Sequence, residues 1–299
     1  MEKSRTAVNV EYWALRFFCG VVNAIPYRMA MAMAAAIGAF AFHVLRIDRA
    51  RTLERIRAVF PGWTPRACRR VAVSSLVNVL QTGVEMIRAP RITRAWIDRH
   101  VPAAERCHRM LAEVLARGRG AVIMVPHSGN WYMAAWAMAR HGLPLCAIAA
   151  RQRNPRVDAW MKRQYGDIEI FDRGSARTLV EIRRKIESGR AFAILPDLRV
   201  PQPDVEVDFL GGKANVSHAG ALFAVKTGAP LVVAMMRREG GLHVMEHLGT
   251  LESEGRDAAD LTREAMALID AAVRRHPGDW FWYNKRWILQ PVKRKGRRK

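Results

Sequence analysis

Two uncharged runs dominate the front of this chain. Residues 17–27 (FFCGVVNAIPY) lie between Arg16 and Arg28, and residues 29–45 (MAMAMAAAIGAFAFHVL) between Arg28 and Arg46. As one helix, the second run would reach about 25 Å, the short end of a bilayer span. Its mix of alanine and methionine is weakly apolar for that task, and Pro26 separates the two runs. Two readings are open: a pair of core helices, or a segment that dips into or spans a membrane. The basic stretch behind it (Arg46, Arg49, Arg51, Arg55, Arg57) favours the second. Cationic side chains beside an apolar segment bind anionic headgroups and mark a cytoplasmic side. A signal peptide fits poorly, because Arg16 and Arg28 interrupt the apolar stretch.

Behind the turn cluster Pro61-Gly62-Trp63-Thr64-Pro65 the apolar positions recur at helical spacing to about Met86, with Thr64 as N-cap and Pro65 at the first position. Residues 105–117 predict a second helix, stopped by Gly118. The pattern then changes to short β-branched runs: 121–125, bounded by Gly120 and Pro126, then 145–149, 168–171, 192–195, 205–210, 231–236 and 242–246. Helical patterns over 131–141, 156–165, 176–188, 217–227 and 257–275 separate most of them. This alternation predicts an α/β fold with a mixed, mostly parallel sheet flanked by helices, preceded by an N-terminal helical membrane-associating segment. The expected organisation is that segment over 1–60, the α/β domain over 61–290 and a basic tail over 291–299, ending in KRKGRRK.

Charge sharpens the question of partners. The 299 residues carry 49 lysines and arginines against 27 acidic residues, a formal +22, and only nine of the cations are lysine. Half the residues are hydrophobic, which excludes a disordered polybasic chain. The arginine excess either reflects a general preference for arginine codons or suits an anionic partner, whether membrane, phosphorylated lipid, acidic protein or nucleic acid. No recognisable nucleic-acid motif accompanies the charge, so nucleic acid is not expected. The cysteines at 19, 68, 107 and 146 form no metal-ligand spacing, so neither a metal nor a disulfide framework is expected.

The candidate chemistry centres on His127. It directly follows the first strand, in Pro126-His127-Ser128-Gly129-Asn130-Trp131, where α/β sheets usually bind ligands. A histidine there is placed to act as a base on a hydroxyl, and these residues alone leave open a capping or packing histidine. This block resembles the H-x-G-N-W segment of the lipid A biosynthesis (late, or secondary) acyltransferases, within the wider acyltransferases that carry an H-x4-D/E motif. Six further blocks resemble that family in its order: Arg153-Asn154-Pro155, Arg163-x-x-Gly166, Leu195-Pro196-Asp197, Val207 to Gly211, Lys226 to Pro230, and the closing Pro277 to Trp287 (PGDWFWYNKRW).

The resemblance implies transfer of a fatty acyl chain from an acyl carrier protein or acyl-CoA thioester to a lipid hydroxyl. It implies a phosphorylated glycolipid acceptor of the lipid A precursor type, an anionic membrane surface as partner, and the cytoplasmic face of a bacterial inner membrane as the setting. His127 would deprotonate the hydroxyl, and no cofactor, metal or covalent intermediate is needed. The acidic residue five positions after the histidine orients the imidazole in the family. Here that position is Tyr132, and no carboxylate lies anywhere from 121 to 150. A neutral tyrosine can fix a tautomer but cannot stabilise imidazolium, so a loss on the order of 10²–10⁴ in rate is expected. Asp197, at another strand end, could substitute for that carboxylate, although the resemblance already gives the acid there a place of its own.

The catalytic candidates are therefore His127, Tyr132 and Asp197. Those for substrate binding are Asn130, which could orient His127 or cap a helix, Arg163, which the resemblance places on substrate or phosphate, and Arg173 and Arg177. The last two flank Gly174-Ser175 at a helix start that could hold an anion. His218 and the run Trp280-Phe281-Trp282-Tyr283 are expected to be structural. The alternative to a working acyltransferase is a catalytically degenerate lipid-binding relative, motivated by Tyr132.

Overall fold

The computed structural model describes residues 4–174 and 176–290. Ser175 and the basic tail expected over 291–299 lie outside the described residues. Six helices precede the sheet: α1 (Arg5–Ala24), α2 (Tyr27–His43), α3 (Arg49–Val59), α4 (Pro65–Arg88), α5 (Arg94–His100) and α6 (Ala104–Ala116). There follow β1 (Ala121–Met124), α7 (Trp131–Arg140), β2 (Leu145–Ala149), α8 (Pro155–Gln164), β3 (Glu169–Asp172), α9 (Ala176–Glu187) and β4 (Ala191–Ile194). The chain continues through β5 (Val205–Phe209), β6 (Gly212–Val216), α10 (Ala219–Thr227), β7 (Leu231–Glu239), β8 (Leu242–Leu251) and α11 (Ala258–Arg275).

The main sheet runs β3-β2-β4-β1-β7-β8. Its first five strands are parallel, and β8 adds antiparallel to β7. β5 and β6 form a separate hairpin. The sheet is therefore mixed, mostly parallel and flanked by helices, as the alternation predicts. Central β1 is buried along its whole length because helices cover both faces. Val122 and Met124 pack towards α9, α10 and α11, whereas Ala121, Ile123 and Val125 pack under α6 and α7. The pattern missed β6 (GKANV), whose lysine and asparagine hide a strand that forms only by pairing with β5.

The N-terminal helices explain the weak apolarity of the second run. Pro26 ends α1 and starts α2, as expected. α2 lays its smallest residues, Ala30, Ala34, Gly38 and Ala41, inward on α4. The fit is close: a Cβ on Gly38 would stand 2.9 Å from Cγ2 of Val77. The large side chains Met29, Met33, Ile37 and Phe40 recur three or four residues apart and face outward, joined by Val10, Trp13, Phe17 and Val21 of α1. Among the described residues no helix is long and apolar enough to cross a membrane. The basic stretch is also less available than its sequence implies. Arg55 is buried over the Trp287 ring and donates to the carbonyls of Trp282 and Asn284, and Arg51 pairs with Asp48.

One face of α4 carries an unusual stripe. Ser75, Asn78, Thr82 and Glu85 recur at three- and four-residue spacing and are all buried. Burial of polar side chains is unfavourable unless each finds a partner. The partners come from the site.

Candidate active site

β1 and β4 are parallel neighbours, with Met124 opposite Ile194. Three residues beyond each of these partners stand His127 and Asp197. The carboxylate of Asp197 is 1% exposed and accepts three donors. Nδ1 of His127 meets Oδ1 at 2.7 Å, and Oδ2 takes the His127 backbone N–H at 2.8 Å and the indole N–H of Trp280 at 2.7 Å. Burial would raise the carboxyl pKa, but His127 and these donors outweigh it and hold it below the ordinary value. An ionised carboxylate only accepts, so Nδ1 is the donor to it, which in the neutral ring leaves the lone pair on Nε2.

The loop that carries His127 is fixed from two sides. The segment around Asp279 to Phe281 pairs with it: Ser128 bridges Trp280, the Gly129 N–H donates to the Asp279 carbonyl and the Phe281 N–H to that of His127. Gly129 has φ +52°, and a Cβ there would fall 2.5 Å from the carbonyl oxygen of Met236. The α4 stripe supports both strands of this pairing. Ser75 donates to the Trp280 carbonyl, Asn78 to the Asp279 carboxylate and Thr82 to the Gly129 carbonyl. Glu85 accepts Nδ2 of Asn130 at 2.7 Å, the hydroxyl of Tyr27 at 2.7 Å, and bonds from Arg238 and His243. Burial pushes the Glu85 pKa up, yet Arg238 and His243 pull it well below the usual carboxylate range.

His127 opens onto an apolar cavity of about 540 Å³ at the carboxyl ends of the parallel strands. It extends beneath α6 and α7, over the sheet face formed by Ala147, Ala193, Ile123 and Ala234. Ala147, Ala193 and Ile123 are cross-strand neighbours in register, so two small side chains stand side by side on the cavity floor. Ala134 and Ala135 of α7 line it from the helix side. Small residues on both walls leave room for a long, thin apolar group.

The other expected site residues divide. Tyr132 lines the cavity but is turned into an aromatic group: its ring stacks on Trp136 and lies edge-on to Tyr165, beside whose hydroxyl its own sits. Among the described residues no hydrogen bond joins it to His127. The expectation that Tyr132 orients the imidazole is therefore replaced, because Asp197 already occupies Nδ1. Asn130 is fully buried; its Oδ1 caps α7 through Met133 N–H at 3.0 Å while Nδ2 serves Glu85. It positions the loop and is not open to substrate. Arg163 is exposed on α8 and does not line the cavity. Arg177 is exposed and pairs with Glu181 at 2.9 Å, whereas Arg173 does line the cavity. His218 pairs with Asp204.

Sequence reasoning took Trp280 for packing and gave no role to Glu85, Arg238, His243 or Arg199. Trp280 stood within a block that resembles the family, the one signal for it. Glu85 carried no such signal, since it falls with Ser75, Asn78 and Thr82 on the polar stripe of the predicted helix.

A histidine oriented by a buried carboxylate, at the mouth of an apolar cavity on an α/β sheet, suits acyl-group chemistry on a lipid. Residues 2–288 match the family described as bacterial lipid A biosynthesis acyltransferase, and the chain belongs to that family; it is an acyltransferase that acts on a lipid acceptor. It is 26% identical over 292 residues to a phosphatidylinositol mannoside acyltransferase of Mycobacterium tuberculosis, covering 95% of this chain and 90% of that one. The protein of the same name from Mycolicibacterium smegmatis is also 26% identical, with 90% and 88% covered. A lipid A biosynthesis acyltransferase of Haemophilus influenzae is 23% identical, with 91% and 86% covered.

Proposed function

We propose that the protein moves a fatty acyl chain from an acyl carrier protein or acyl-CoA thioester to a hydroxyl of a phosphate-bearing glycolipid, with His127 as general base. The observation that carries this reading is the Nδ1 to Asp197 contact at the mouth of the apolar cavity. The acyl chain lies in the cavity with its thioester carbonyl near His127. Nε2 takes the proton as the acceptor oxygen attacks that carbonyl, and Asp197 stabilises the imidazolium. Collapse of the tetrahedral adduct breaks the C–S bond, and the imidazolium returns the proton to the departing thiolate. The names of the relatives, one for phosphatidylinositol mannoside and one for lipid A, support a phosphate-bearing glycolipid as the acceptor class.

The setting is the cytoplasmic face of a bacterial inner membrane. The outward apolar faces of α1 and α2 lie in the plane of the headgroups, with exposed Arg16, Arg28, Arg46 and Arg57 around them. The reading of a degenerate, lipid-binding relative rests on Tyr132, and the carboxylate of Asp197 on the imidazole speaks against it.

The test is mass spectrometry of lipids after incubating the purified protein with an acyl carrier thioester and either a phosphorylated glucosamine lipid or a phosphatidylinositol mannoside. A product one acyl group heavier, absent with His127→Ala, is expected. Equal product from wild type and His127→Ala would overturn the role of the base. No product from the wild type with either acceptor would overturn the reading.

A further inference from the structure

The apolar cavity has a charged rim that the proposed chemistry does not use. Arg173 follows β3 directly, Arg199 lies two residues past Asp197 beyond β4, and Arg286 lies six residues past Trp280. All three line the one cavity with His127, and among the described residues no aspartate or glutamate lines it. None of the three makes an ion pair among the described residues, although exposed neighbours such as Arg177 and Arg183 each hold a glutamate. Nε of Arg199 is buried without a hydrogen-bond partner. Like charges lining one apolar cavity repel one another, and a buried guanidinium N–H left unpaired is unfavourable.

The elements that carry these side chains are held in place. The Arg173 N–H donates to the Ala149 carbonyl of the neighbouring strand end. The Arg286 N–H donates to Oδ1 of Asn284, whose own carbonyl is gripped by buried Arg55. Planar guanidinium forks match phosphate geometry and bind it through charge-assisted hydrogen bonds.

From this we infer that Arg173, Arg199 and Arg286 form an anion subsite that holds a phosphate group of a substrate beside His127. The inference rests on the acyl-transfer reading for the identity of the ligand, but not for the existence of the site. Arg163, the arginine that the resemblance singles out, is not part of it. The phosphate can arrive on either substrate: the phosphopantetheine arm of the donor, or the phosphorylated headgroup of the acceptor.

The test is equilibrium binding of two probe pairs to the full chain in a non-ionic detergent, without turnover. One pair is an acyl-phosphopantetheine and the same acyl-pantetheine. The other is a diacylglucosamine 1-phosphate and the same lipid without its phosphate. In one pair the wild type is expected to bind the phosphorylated member about 10- to 100-fold more tightly. Arg199→Gln is expected to remove most of that preference, and Arg199→Lys to restore part of it. The double variant Arg173→Gln, Arg286→Gln changes only exposed side chains, so it keeps the test valid if the Arg199 variants fold poorly; it is expected to reduce the same preference. A preference confined to the pantetheine pair assigns the subsite to the donor, and one confined to the glucosamine pair assigns it to the acceptor. No preference in the wild type, or one that survives all these changes, overturns the subsite. Failure of acyl transfer in the wild type would sink the reading above while leaving this binding result to stand or fall alone.

Discussion

His127 and Asp197 meet through Nδ1 and Oδ1 at 2.7 Å, although 70 residues separate them. The parallel pairing of β1 with β4 brings them together. Replacing Asp197 by asparagine keeps the shape but removes the charge and lets the ring take the wrong tautomer. In serine proteases that change costs about four orders of magnitude. Asp197→Asn is expected to lower kcat by about 10³–10⁴ with KM nearly unchanged, as read by steady-state acyl transfer. A kcat within tenfold of wild type would mean that Asp197 is only structural.

Tyr132 gives the converse expectation. Its hydroxyl lies beside that of Tyr165, and burial raises its pKa further above the ordinary tyrosine value, so it stays neutral. Tyr132→Phe is expected to keep activity within about tenfold of wild type, because a single neutral hydrogen bond contributes about 1 kcal/mol. Tyr132→Glu, which recreates the family's motif, is expected to lower the melting temperature and leave activity no higher, since the new carboxylate would enter an aromatic group with no cation. Increased turnover in Tyr132→Glu would show that Asp197 is an inadequate partner for the imidazole.

Glu85 ties α2, α4, α7, β7 and β8 together through Tyr27, Asn130, Arg238 and His243. Glu85→Ala leaves Arg238 buried without its carboxylate, a loss of about 3–5 kcal/mol in urea unfolding. The pH dependence has a definite sign. The folded pKa of Glu85 lies below its unfolded value of about 4.3, so its contribution is fully present above that pH. It is lost as pH falls from there towards the depressed folded value. Wild type is expected to lose stability more steeply than Glu85→Gln below about pH 4.3. Parallel acid limbs would contradict this account.

Much of the architecture was legible in the residues. Short β-branched runs between helical patterns marked seven of the eight described strands, and the eighth, β6, lacked a pattern because its pairing with β5 makes it a strand. His127 was legible from its place after a strand. Its partner was visible only as a carboxylate at another strand end, since strand order, and hence which ends are neighbours, is a property of the folded sheet. The α4 stripe shows the same limit. Ser75, Asn78, Thr82 and Glu85 read locally as the solvated side of a helix, yet they are buried because the His127 loop and the segment around Trp280 supply their partners. For α2, composition showed apolarity, whereas the inward small face and outward large face emerged from its packing on α4.

Gly129 tests the rigidity of the loop. A methyl group there meets the Met236 carbonyl and demands a left-handed backbone from alanine, so the loop must shift. A displacement of about 1 Å at a reacting group can lower the rate on the order of 10²-fold. Gly129→Ala is expected to fold, as judged by circular dichroism, while losing about that factor in kcat. Unchanged kcat would show that His127 tolerates movement of its loop.

The outward faces of α1 and α2 supply the last expectation. Phe17 is 77% exposed and Ile37 54%, so replacing them disturbs little of the packed interior. Burying one such side chain in a bilayer interface contributes about 1.5–3 kcal/mol, and a charge at the same place opposes entry. Phe17→Glu and Ile37→Glu are each expected to weaken co-sedimentation with vesicles of phosphatidylglycerol and phosphatidylethanolamine by about 10- to 100-fold, with the melting temperature kept. Transfer to a detergent-dispersed acceptor is expected to persist, because neither residue touches the cavity. Arg46→Gln and Arg57→Gln provide the electrostatic comparison: their effect should fade as salt is raised, whereas that of the apolar substitutions should not. Vesicle binding that vanishes in salt for the wild type itself would make the association purely electrostatic and remove the apolar faces from it.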